Sequence, residues 1–94
     1  KPTNLTATAT GNGTKLTWDA VDSAAAYRIY RSADGGKTYI LVSTRLAKNF
    51  HGKTPYFNDT TVVNSGSYIY AIRAYDSSLS NATRSDEVTT TVTV

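Results

Sequence analysis

The chain has 94 residues, of which 39% are hydrophobic, with a formal net charge of +3 and no cysteine. A length of this order suits one domain, which buries about 60–65% of its unfolded surface and so depends on a well-filled core. It has no thiols for a disulfide framework or a thiolate zinc site, no apolar run near the roughly 18 residues of a membrane span, and no clustering of cations of the kind nucleic acid requires.

Sixteen Thr, nine Ser and seven Tyr stand against a single Glu and no Met, a bias toward strands and tight turns over helices. From the N-terminus the apolar residues alternate with period two. "NLTATAT" sets Leu5, Ala7 and Ala9 on one face, and "TKLTWDA" turns Leu16 and Trp18 inward. "AYRIYRS" puts Tyr27 and Ile29 on one side, Arg28 and Tyr30 on the other. "TYILVST" is a continuous apolar run whose inward parity stays open, and "PYFNDTT" is short. In "SYIYAIRAYD", Tyr68, Tyr70, Ile72 and Ala74 share a face, with Ile69, Ala71, Arg73 and Tyr75 opposite. "EVTTTVTV" closes the chain with Val88, Val92 and Val94 in phase.

Seven short strands punctuated by turn signals predict an all-β, seven-stranded antiparallel Greek-key sandwich. "RSADGGKTY", Arg31 to Tyr39, fits Ser-x-Asp-x-Gly-x-Thr-aromatic, and so resembles the Asp box of sialidase propeller blades. A propeller is impossible at this length, and no repeat of blade length is visible. The stretch is therefore read as a hairpin: Gly35-Gly36 supplies positive φ, Asp34 caps the turn, and Thr38 and Tyr39 begin the next strand.

"LTWDAVDSAAAYRIYRSADGG" followed by "YFNDTTVVNSGSYIYAIRAYD" resembles a fibronectin type III domain, of the kind found in bacterial secreted multidomain carbohydrate-active enzymes. The likeness runs from Pro2 and Leu5 to Val92, with Trp18, Tyr27-x-Ile29 and Tyr68-x-Tyr70-x-Ile72-x-Ala74 at the strand positions of the family, while "RLAKNFHGKTPY" is longer than the family's connection there. It implies an immunoglobulin-like core of Leu16, Trp18, Tyr27, Ile29, Tyr68, Tyr70 and Ile72. Tyr68, just after Asn64-Ser65-Gly66, stands where a tyrosine corner donates back to the preceding loop. Residues 1–94 are then one fibronectin type III-like domain excised from a longer chain, with Lys1-Pro2 marking an internal cut.

Catalysis finds no constellation. Asp86 and Glu87 are adjacent and point to opposite faces of a strand, His51 is the only histidine, and no "GxSxG" elbow occurs. Asp19, Asp22 and Asp76 fall in loops of one pole, where solvated turn residues are the preferred reading over a calcium site. The expectation is no catalytic residue, no metal and no cofactor.

Two patches are candidate binding surfaces, the first set against the preferred reading of an ordinary solvated sheet face. In the topology that the resemblance implies, the third and sixth strands are antiparallel neighbours, so Arg28, Tyr30, Arg73 and Tyr75 share an outer face, with Glu87 partly neutralising Arg73; the 45–56 loop adds Phe50 and Tyr56. In that loop, packing of Leu46 and Phe50 over the sandwich edge is an equal alternative. The functional reading is a non-catalytic spacer or domain–domain interaction unit of a secreted bacterial glycoside hydrolase. Its partners are neighbouring domains of the same chain, and it is a secreted or cell-surface monomer without nucleic acid or membrane insertion. The alternatives are a carbohydrate-binding module and a cell-surface protein-binding or adhesion domain.

Overall fold

A computed structural model describes residues 2–10, 13–22, 24–50, 53–62, 66–77, 79 and 84–93. Seven strands run in chain order: β1 (Thr6–Ala9), β2 (Thr14–Thr17), β3 (Ala26–Ser32), β4 (Ile40–Leu46), β5 (Tyr56–Asp59), β6 (Ser67–Tyr75) and β7 (Val88–Thr93). They form two antiparallel sheets, ordered β1-β2-β5 and β4-β3-β6-β7. His51, Asn64, Ser65 and Val94, used in the sequence reading, lie outside the described residues.

Alternation carries the packing. In β6, Tyr68, Tyr70, Ile72 and Ala74 face inward together with Tyr27 and Ile29 of β3 and Val92 of β7, and pack against Leu16 and Trp18 from the other sheet, all nine buried in one cluster. Leu5, Ala7, Val42, Phe57 and Val88 pack on its rim, whereas Ala9 is exposed. Trp18 lies one residue past β2, its amide donating to the Pro55 carbonyl at 3.3 Å. Its ring meets Tyr27 edge-on with centroids 5.4 Å apart, so one indole fills much of the gap between sheets about 10 Å apart. The Tyr27 hydroxyl accepts from the Val21 amide at 2.9 Å, and Tyr68 folds its ring back onto Gly66.

The fourth strand differs from the sequence reading at both ends, and Asp86 and Glu87, read as strand residues, precede β7. Thr38 and Tyr39 do not begin the fourth strand, which starts at Ile40. The reason is the hairpin before it: Asp34 accepts from the Thr38 amide and hydroxyl (2.9 and 2.5 Å) and from the Ser32 hydroxyl (2.7 Å), which in turn accepts from the Gly36 amide. These bonds draw Thr38 back into the turn, while Gly35 and Gly36 take φ of 77° and 97°. Thr38 also holds the Asp34 carboxyl down, at about 2. The segment 45–56 is only partly loop: Arg45 and Leu46 end β4, and Ala47–Phe50 form a 3-10 turn.

Registers fix the poles. Thr6 of β1 pairs with Thr17 at the end of β2, and Thr93 of β7 pairs with Ser67 at the start of β6. The chain therefore enters β1 at the pole where β3 begins and leaves β7 at the opposite one, along a body 37 Å in its longest dimension.

Candidate functional site

The outer face of the four-stranded sheet carries the first patch. Arg28 pairs directly with Arg73, and Tyr30 with Ala71, across β3 and β6. The Arg28 guanidinium lies 4.7 Å over the Tyr75 ring, and the Tyr30 and Tyr75 hydroxyls are 2.7 Å apart. Tyr75 also accepts from Arg84 Nη1 at 3.2 Å. Arg73 donates to the Ser85 carbonyl at 3.0 Å and to Glu87 Oε2 at 3.3 Å, so the pairing expected from strand parity is formed.

That network splits the two phenols. Burial pushes the Tyr30 hydroxyl up, and its hydrogen bond to Tyr75 adds to the effect. Burial acts in the same direction on Tyr75, but bonds with Tyr30 and Arg84 and the charges of Arg84 and Arg28 outweigh it, leaving Tyr75 below its ordinary value. Either hydroxyl of the pair can donate to the other.

Two of the expected binding residues are not available for stacking. Tyr75 is 1% exposed: strand parity put it on the outer face, but Arg28, Tyr30 and Arg84 cover it. Phe50 is 5% exposed because the 3-10 turn drives it inward against Trp18, with ring centroids 6.2 Å apart. Tyr56 is open at 42%, in edge contact with Phe50 and flanked by Lys15 and Arg45.

The sequence reading missed Tyr39. Its hydroxyl and the Ile69 side chain both approach Gly36, and it lines a cleft of about 250 Å³. Tyr30, Ala71, Arg73, Arg84 and Glu87 complete its lining. The aromatic that ends the Asp-box pattern was the available signal, but its direction depends on the turn's backbone. Among the described residues no three acidic or histidine side chains converge on a metal site. Asp19 instead accepts from the Thr3 and Asn4 side chains at 3.2 and 2.6 Å.

No family model matches the chain. The chain is 40% identical over 75 residues to an amylopullulanase of Thermoanaerobacterium saccharolyticum, and 38% identical over 79 residues to one of Thermoanaerobacter thermohydrosulfuricus. The matches take in 80% and 83% of this chain but only 5% of each relative's length. Among solved structures it is similar to an Fn3-like protein from Clostridium thermocellum, with a TM-score of 0.73 and 27% identity over 96% of this chain and 86% of that one.

Proposed function

Starting from a fibronectin type III-like fold and kinship with a short segment of bacterial amylopullulanases, we propose that the chain is an accessory, non-catalytic module of a secreted glycoside hydrolase. In this reading it spaces and contacts neighbouring domains of the same polypeptide. The observation that carries it is the match of most of this chain to one-twentieth of much longer enzymes, in a fold whose strands deliver the chain to opposite poles. An apolar groove of about 400 Å³ at the entry pole, walled by Ala24, Ala26, Leu46, Ala47 and Leu79, supports contact with an adjoining domain.

The test has two arms. The 94-residue chain is expected to release no reducing sugar from starch or pullulan; release would overturn the non-catalytic reading. In the parent enzyme, replacing the module with a flexible Gly/Ser linker of equal length is expected to lower thermal stability while leaving kcat on a short oligosaccharide unchanged. A collapse of that kcat would make the module part of the catalytic machinery instead.

A further inference from the structure

The cleft on the outer face of the β4-β3-β6-β7 sheet has the makings of a small-ligand site. Its bottom exists because β6 places a methyl group, Ala71, between the larger Ile69 and Arg73, with Tyr30 and Thr89 as its cross-strand neighbours. Tyr30 and Tyr39 supply the apolar walls, and Tyr39 is 38% exposed. The Tyr30 wall is fixed in advance by its 2.7 Å bond to the Tyr75 hydroxyl, which Arg84 also engages. Tyr30 then has little side-chain freedom left to lose on binding.

The polar side has a distinct chemistry. Arg73 and Glu87 form an ion pair at 3.3 Å, with Glu87 exposed, so donors and acceptors stand next to each other. An acidic ligand meets the Glu87 carboxylate and a cationic one meets the arginines. A neutral polyol meets neither penalty, because each hydroxyl both donates and accepts. Its C–H faces would in turn bury apolar area against the tyrosines. The volume, about 250 Å³, falls below the roughly 300–1,000 Å³ of sites for drug-sized ligands, which points to a single ring.

We propose that this cleft binds one neutral hexose unit of a polysaccharide, held between Tyr30 and Tyr39 and hydrogen-bonded to Arg73 and Glu87. The inference rests on the accessory-module reading for the choice of ligand class and goes beyond it. The cleft is on a sheet face, away from the poles at which the chain enters β1 and leaves β7.

Chemical-shift mapping of the 94-residue chain with maltotriose, cellotriose and a galacturonate trisaccharide tests it. A neutral trisaccharide is expected to bind with a Kd of about millimolar, moving the backbone amides of Tyr30, Tyr39, Ala71, Arg73 and Glu87. Tyr39→Ala and Glu87→Ala, both at exposed positions, are each expected to weaken binding about tenfold while leaving the remaining amide shifts native. Three results would overturn the proposal: no shifts with either neutral sugar at tens of millimolar, preference for the galacturonate, or shifts that persist undiminished in both variants. None of them bears on the hydrolysis and linker experiments, so the accessory-module reading stands or falls separately.

Discussion

Asp59 on β5 accepts two hydrogen bonds at the same carboxylate oxygen, from Arg31 on β3 and from Tyr70 on β6, each at 2.7 Å. The bond to Arg31 is also an ion pair, and it joins the two sheets. The other oxygen takes the Thr61 amide and hydroxyl, at 3.0 and 2.6 Å, so a carboxylate only 1% exposed is fully satisfied. Burial alone would raise its pKa, but the bonds from Thr61, Tyr70 and Arg31 win and hold it below its ordinary value. In return, burial and the adjacent carboxylate push the Tyr70 hydroxyl well up.

Removing the carboxylate strands a guanidinium and a phenol between the sheets. Asp59→Ala is expected to destabilise the chain by about 3–5 kcal/mol, whereas Tyr70→Phe, which removes one bond to a charged group, costs about 1.5–3 kcal/mol. The two changes remove opposite ends of the same hydrogen bond, so the double variant should lose less than the sum. Urea denaturation midpoints of the four chains check this; strict additivity would mean that the bond between the two residues contributes nothing.

Acid should loosen the fold in a defined window. Asp34 and Asp59 both titrate lower when folded than their unfolded value of about 3.9. Each therefore contributes stability that is complete above that value and is lost as pH falls through the folded one, about 2 for Asp34. Urea midpoints should be flat from neutrality down to about pH 5 and decline from about pH 4 to 2. Asp34→Asn should lower the neutral midpoint, because an amide cannot accept the Thr38 and Ser32 bonds as the carboxylate does, and should make the acid decline shallower. An equally steep decline in the variant would remove Asp34 from the account.

Tyr68 makes a second anchor against its own loop. A methyl group built at Gly66 would lie 2.7 Å from the edge of the Tyr68 ring and 2.8 Å from its hydroxyl oxygen, and the ring is rigid. Gly66→Ala must push Tyr68 out of its place in the core cluster, at a cost of about 1–3 kcal/mol. In Tyr68→Ala that collision is gone, so adding Gly66→Ala should cost little. Thermal melts of the single and double variants decide between this and a purely backbone effect.

Much of this was readable from alternation. Parity placed Trp18, Tyr70 and Ile72 inside, and parity together with the strand order implied by the family resemblance set Arg28 beside Arg73 and Tyr75. Parity assigns a face but not what covers it, and Tyr75 was misjudged as open for that reason. Asp59 escaped notice because an Asp at the end of a short strand reads as a turn residue. Its burial depends on Arg31 and Tyr70, which are remote in sequence. Tyr39 was missed for a similar reason: the Asp34 hydrogen bonds fix the chain's path out of the hairpin, and side-chain periodicity does not encode it.

The run "TYILVST" had no clear parity because its strand lies at the sheet edge, where neither face is fully covered. In β4, Ile40 is 56% exposed and Leu41 50%, and a bulge in the pairing with β3 falls between them and Ser43. An edge strand with apolar side chains is a template for pairing with another chain, and the bulge blunts that tendency only locally. Ile40→Lys is expected to leave the urea midpoint within about 0.5 kcal/mol, since it removes no buried contact, and to suppress light scattering during slow heating at high concentration. Scattering that is unchanged in the variant would shift the origin of association away from this edge. A large loss of stability would show that Ile40 packs more tightly than its exposure indicates.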